Sequence, residues 1–208
     1  MKLILISDTH SKHENINLPM GDILIHAGDV SSRGTLEEIK GFLDWFSSQP
    51  HQYKIFIAGN HDFWFENKSE ADISLLIPQN VIYLNDNGVT IEGVHFWGSP
   101  VQPEFHNWAF NRKRGLEIKK HWDLIPNATD ILITHGPPHG ILDETVRGQL
   151  TGCEELKMKV YQLNLKLHVF GHIHEAYGIM NTKNTCFVNA SQLNQYYQPV
   201  NKPVVVDL

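Results

Sequence analysis

Five short apolar runs in this chain each break into side chains that carry lone pairs. Residues 2–6 lead into Ser7, Asp8, Thr9 and His10, and residues 22–26 into Gly28 and Asp29. Residues 53–57 lead into Gly59, Asn60, His61 and Asp62, residues 130–133 into Thr134, His135 and Gly136, and residues 167–170 into Gly171, His172, Ile173 and His174. Asp8 and His10 are two apart, as are His172 and His174, a spacing that puts both members of a pair on one face of an extended segment. Imidazole and carboxylate with no thiolate suit Zn, Fe, Mn or Ni better than Ca or an iron–sulfur cluster. Seven donors, Asp8, His10, Asp29, Asn60, His135, His172 and His174, exceed the needs of one tetrahedral ion. Two ions about 3.5–4 Å apart, bridged by one carboxylate, would use them all. A single histidine at a strand end is ordinarily structural; five such clusters after five apolar runs point to one site.

The elements that must deliver these residues are short. Buried-type strands are predicted at 2–6, 22–26, 53–57, 130–134 and 167–170. Further strands are predicted at 81–84, 89–91, 94–97, 177–180, 185–188 and 204–207. Leu36, Ile39, Leu43 and Phe46 recur with a helical period over 35–48, and shorter helices are predicted at 69–76, 116–121 and 154–163. Strands alternating with helices early, and antiparallel strands late, make a mixed α/β chain of layered sheets with helices outside. In open α/β sheets, ligand sites lie beyond the carboxyl ends of the strands. Gly28, Gly59, Gly136 and Gly171 flank the candidate ligands, where glycine permits sharp turns and close approach.

Composition narrows the classes. The chain has 208 residues and a formal net charge of −6, a balance that does not suit a long nucleic-acid backbone. Two cysteines in unrelated contexts make no disulfide scaffold, so a reducing compartment is expected. The apolar N-terminal stretch is too short for a signal-peptide core, and no apolar run is long enough to span a membrane. The expectation is a cytoplasmic protein of one domain, residues 1–208, with no membrane partner. Oligomeric state is not readable.

Taken together, Asp8-x-His10, Gly28-Asp29, Gly59-Asn60-His61-Asp62, His135 and Gly171-His172-x-His174 resemble the calcineurin-like metallophosphoesterase superfamily. The segments WGSPVQPEFHNWAFNRKRG (97–115), LITHGPPHGILD (132–143) and PVNKPVVVDL (199–208) are similar to a narrower branch, the metallophosphoesterase-domain class III phosphodiesterases first described from brain. The resemblance implies a four-layer αββα sandwich with a dinuclear centre at one end. It implies that Asp8, His10 and His174 hold one metal, that Asn60, His135 and His172 hold the other, and that Asp29 bridges. It makes His61, next to the second metal, the catalytic histidine, with Asp62 as its orienting partner. Some members of the branch lose the first histidine of Gly-His-x-His; this chain keeps His172, so both metal sites are complete.

The expected reaction is hydrolysis of a small phosphate diester, cyclic nucleotides among the candidates, by in-line attack of a metal-bridging hydroxide. The expected cofactors are two divalent ions, Mn first, with Fe, Zn or Ni as alternatives. His61 would protonate the leaving oxygen. Arg33, four residues after Asp29, has the spacing of a phosphate-binding arginine in the Ser/Thr phosphatases, and His139 could border the substrate pocket. Of Trp97, Phe105, Trp108 and Phe110, part could form a wall on which a base stacks. Two other readings stay open: a phosphomonoesterase or protein phosphatase with the same metal centre, favoured by Arg33, and a non-catalytic nucleotide-binding scaffold.

Overall fold

A computed structural model describes residues 1–208, and its elements follow the hydrophobic pattern closely. The first half runs β1 (Lys2–Ile6), β2 (Ile23–Ala27), α1 (Leu36–Ser48), β3 (Tyr53–Ile57), α2 (Phe63–Glu66), α3 (Glu70–Leu76) and β4 (Ile82–Tyr83). The second half runs β5 (Asn87–Ile91), β6 (Val94–Ser99), β7 (Gln102–Pro103), β8 (Asn111–Arg112), α4 (Leu116–Asp123), β9 (Ile131–Thr134), α5 (Glu154–Val160), β10 (Leu167–Phe170), β11 (Gly178–Asn181), β12 (Cys186–Asn189) and β13 (Val204–Asp207). Thr35 caps α1 through a reciprocal capping box with Glu38, and Ser69 caps α3 by accepting from the Asp72 N–H. The single turn α2 was not expected, and α5 stops at Val160 instead of continuing to residue 163.

Two sheets form. One has the order β13-β1-β2-β3-β4 and the other β11-β12-β10-β9-β6-β5, with β7 and β8 as a separate parallel pair. The inner strands pair in parallel, β1 with β2, β2 with β3, β9 with β10 and β10 with β12, while β13, β11 and β5 join antiparallel at the edges. Alternation along each strand sorts the side chains. Leu3, Leu5, Ile23, Ile25, Ile55 and Ile57 face Phe96, Ile131, Ile133, Leu167, Val169 and Val188 of the other sheet. Their neighbours Ile4, Ile6, Leu24 and Phe56 turn outward onto Ile39, Phe42, Leu43, Phe46 and Ile73 of α1 and α3. On the far side Leu132, Phe170 and Phe187 cover Ile118, Trp122, Leu156 and Val160 of α4 and α5. The layers are therefore αββα, held by three apolar seams in which each fully buried large side chain contributes about 1.5–3 kcal/mol. No helix is long and apolar enough to cross a membrane.

The layering decides where the polar clusters go. The parallel strands of both sheets end at the same edge of the sandwich. Ser7, just past β1, bridges in parallel to Ser191, just past β12, and so stitches the two sheets together there. The Gln192 N–H donates to the Ser7 carbonyl at 2.9 Å, and the Gly171 N–H to the His135 carbonyl at 3.0 Å.

Candidate metal centre

The five clusters meet beyond this edge. The Nε2 atoms of His10 and His174 are 3.2 Å apart, and the His174 Nε2 is 3.4 Å from the Asp8 Oδ1. The His135 Nε2 is 2.8 Å from the Asn60 Oδ1. Asp29 stands between the two groups: its Oδ2 is 3.6 Å from the His10 Nε2 and 3.4 Å from the His135 Nε2. Its other oxygen accepts the His61 backbone N–H at 2.8 Å. The His172 ring lies 5.0 Å from that of His135. Asp8, His10 and His174 turn ligand atoms onto one small volume, as do Asp8, Asp29 and His135.

Outer hydrogen bonds aim these atoms. His135 donates from Nδ1 to the Ala27 carbonyl, and His174 from Nδ1 to the Asn194 carbonyl, both at 3.0 Å. Each bond fixes the ring orientation and aims Nε2 inward, the arrangement found around metal-ligating histidines. Asp8 accepts from the His172 backbone N–H and from the Ser191 hydroxyl. The backbone is bent to suit: Asp8, His10, Asp29 and His172 have φ of 53°, 41°, 56° and 68°. Left-handed conformations at non-glycine residues cost of order 1–3 kcal/mol each and persist where surrounding contacts enforce them. Gly171 and Gly59 admit the carboxylates, since a Cβ at either position would overlap Asp8 or Asp29. Nearly all this chemistry is buried, with Asp8 fully covered and His135 likewise.

The electrostatics suit a cation. Burial opposes charge on Asp8, but the adjacent His174 imidazole prevails and holds the carboxyl below the usual carboxylate range. Asp29 is likewise held well below it, by His135 and His10 against the effect of burial. Burial lowers His10 to about 4 and His172 to about 3, so both present neutral imidazole. His135 is raised to about 9 because the Asp29 carboxylate outweighs burial. Two carboxylates held ionised beside convergent imidazole nitrogens and an amide oxygen form a donor set that fits divalent metal ions.

His61 and Asp62 do not take the places the resemblance gave them. The His61 Nδ1 donates to the Ser32 carbonyl at 2.8 Å. The ring stands edge-on to His10, with centroids 4.5 Å apart, and its ligand atom clusters with His10 and Asp29. It therefore sits on the side of the first metal group, not the second, although Asn60 precedes it in the chain. The Asp62 carboxylate does not touch that ring. It accepts from the Val30, Ser31 and Gly59 N–H groups and from the Ser31 hydroxyl, so it splices the loops after β2 and β3. Burial raises Asp62 to about 6, with those donors pulling the other way.

Above the floor opens a cavity of about 830 Å³. Asp29, Asn60, His61, His172 and His174 line its base, and Phe105, Trp108, Tyr197 and the 145–152 segment form its walls. Arg33 is not among the lining residues. Its side chain is exposed, and its backbone N–H donates to Glu38 at the start of α1. His139 is also outside, 3.9 Å from both Asp143 and Glu154. The arginines that do reach the cavity are Arg114 and Arg147. Arg114 is engaged by Glu154 and by the Thr151 and Gly152 carbonyls; Arg147, at the tip of a turn closed by the Glu144–Leu150 bridge, has no partner. Residues unseen in the sequence also contribute. Tyr197 sets its ring 5.0 Å from His10 and 5.1 Å from His174, and Ser191 and Asn194 hold ligands as described. None lies in a motif; only Ser191, two residues past β12, has a signal, as a sixth strand end.

Comparison with known proteins agrees with this geometry. The family model for calcineurin-like phosphoesterases matches residues 1–176. The human metallophosphoesterase domain-containing protein 1 is 45% identical over 230 residues, covering 100% of this chain and 71% of that protein. A UPF0046 protein of Caenorhabditis elegans is 39% identical over 217 residues, covering 99% and 74%. Among solved structures, an archaeal phosphodiesterase aligns with a TM-score of 0.50 at 16% identity, covering 100% of this chain and 93% of that one, a likeness of fold.

Proposed function

The chain belongs to the calcineurin-like phosphoesterase family, and from that premise we propose that it hydrolyses small phosphate diesters, cyclic nucleotides among them. The observation that carries this reading is Asp29, whose one inward oxygen faces a histidine from each donor group at the base of a roomy cavity. Asp8, His10 and His174 would hold one metal ion, Asn60, His135 and His172 a second, and Asp29 both. When bound, two such ions supply Lewis acidity to the phosphoryl oxygens and to a water nucleophile. Mn is the first candidate, and Fe, Zn or Ni share the same donor preferences.

His61 is the acid in this reading. With Nδ1 committed to the Ser32 carbonyl, Nε2 is the atom that carries the transferable proton. Asp62 keeps the strand ends in register so that Asn60 and His61 stay together. The diester preference rests on space and charge. The cavity is far larger than a phosphate and has walls for two ester substituents. The arginine that favoured a monoesterase, Arg33, points to solvent. A reducing, cytoplasmic setting goes with the free thiols Cys153 and Cys186.

The test is initial rates on a chromogenic phosphate diester and its matching monoester. The protein is stripped with chelator and assayed with and without Mn²⁺. Diester cleavage restored by metal, with little monoester turnover, is expected. Monoester preference, or no turnover with any of the four metals, would overturn the reading.

A further inference from the structure

We propose that Trp108 is a positioning residue for His61, clamping the imidazole plane so that Nε2 meets the leaving oxygen. This rests on the reading of His61 as the acid. The indole stacks on the imidazole, with centroids 4.2 Å apart and planes 27° from parallel. The Ser32 carbonyl fixes one edge of the same ring, and His10 stands against it at 82°. Phe63, the first residue of α2, has its ring 5.9 Å from the indole. Trp108 therefore packs on both His61 and Phe63. The indole is half-buried by these contacts, whereas Phe105 offers a freer surface to a substrate base.

The loop that carries Trp108 is built to hold it. The Ala109 N–H donates to the Asn60 carbonyl at 3.1 Å, which keys the loop to the residue before His61. Phe110, buried at a φ of 57°, donates its N–H to Glu66 of α2. The β7–β8 pair ties the base of the loop, and the Asn111 side chain donates to the Phe105 and His106 carbonyls to close it. An acid aimed before reaction avoids the loss that misplacement brings, on the order of a hundredfold per ångström. In the step served, the P–O bond to the leaving group breaks as the oxygen of a hydroxide ion, formed by loss of a water proton to solvent, bonds to phosphorus and keeps its remaining proton. The electron pair stays on the leaving oxygen, which takes the Nε2 proton and leaves neutral imidazole with Nδ1–H.

The experiment uses the full chain with Trp108→Phe and Trp108→Ala, and two methyl phosphate diesters differing only in their leaving group, phenol or 4-nitrophenol. Aim of the acid matters most for the poorer leaving group. Trp108→Ala is expected to lower kcat on the phenyl ester on the order of tenfold. It should change the 4-nitrophenyl rate and both KM values by less than about twofold, while Trp108→Phe retains most of the rate. In a His61→Ala background, Trp108→Ala should add nothing. Equal loss on both esters, a change confined to KM, or additivity with His61→Ala would overturn the proposal. A second readout is independent of activity: imidazole ¹⁵N NMR of metal-free protein. One narrow set of His61 ring signals is expected in the parent and Trp108→Phe, with shifted, broadened signals in Trp108→Ala. Unchanged signals would overturn the clamp. Should Trp108→Ala not fold, Trp108→Leu takes its place. If the parent hydrolyses neither ester, the diesterase reading fails, and the NMR result still decides Trp108.

Discussion

The donors at the floor of the cavity leave the ends of buried parallel strands, whereas its walls are loops: 102–112, 143–152 and 192–200. The floor is rigid for a stated reason. The ligands follow strands closed on both faces by apolar side chains, and backbone bonds tie Asp8 to Gly28, His10 to Asp29 and Gly171 to His135 across neighbouring strand ends. The walls carry exposed apolar and charged groups, Phe105, Val146, Leu150 and Arg147, with few partners. The difference assigns the roles. Chemistry needs atoms fixed to a fraction of an ångström and belongs to the floor; choice of substrate needs adaptable contacts and belongs to the walls. Trp108 and Tyr197 are the exceptions, wall residues packed against floor histidines.

The largest expected effect comes from removing the atom common to both donor groups. Asp29→Ala should cost more activity than the roughly 10–100-fold lost when a metal ligand loses an outer partner. Metal content by elemental analysis should fall with it; full occupancy with full activity would break the division. Next is Asp62→Asn, which puts an amide NH₂ against N–H donors in a buried pocket and should destabilise the fold by about 1–3 kcal/mol in urea unfolding. The pH dependence of stability is a third handle. His168, beneath the floor, donates to the Thr134 hydroxyl through Nε2, its Nδ1 has no partner, and burial lowers it to about 3. The unfolded histidine titrates near 6.5, so below that pH the unfolded chain binds a proton that the native state refuses. Stability should fall by up to about 1.4 kcal/mol per pH unit from 6.5 towards 3 on this account. His168→Gln should flatten that slope in urea titrations at stepped pH, and Arg147→Ala should leave it alone. The smallest effects are at the walls. Arg147→Ala should raise KM a few-fold, within the ~1 kcal/mol of an exposed charge contact, with kcat unchanged. Arg33→Ala should move neither constant beyond about twofold; the reverse ranking would place the phosphate-facing cation where the sequence spacing had it.

The floor was legible because strand ends announce themselves. An apolar run of four or five residues that stops at Gly, Asp, Asn or His marks both the element and its product, and five such stops needed only one sheet edge to meet. Short-range signals misled where side chains turn away from the chain's own direction. Arg33 is four residues after Asp29, but its N–H is drawn onto the capping Glu38 of α1 and Gly34 turns the chain at a φ of 68°, so the guanidinium leaves into solvent. Asp62 follows His61, but the ring bonds to Ser32 and the carboxylate goes to the β2 loop. Tyr197 and Asn194 reach the site from a segment that carries no periodic or motif signal, and Trp108, expected as part of a base-stacking wall, is found against His61.

The sequence by itself determined which strands are buried, which residues end them, and that a carboxylate–imidazole set without thiolate would face a metal ion. Those follow from local properties: hydrophobic alternation, the donor chemistry of each side chain, and glycine where backbones must approach. Only the tertiary structure decided that Asp29 lies between the two groups, which side His61 takes, which arginine sees the cavity, and which aromatic ring holds the acid. These depend on where an Nδ1–H finds a carbonyl and which face of a ring is already covered. Both are contacts between residues dozens of positions apart, fixed when the two sheets close on each other.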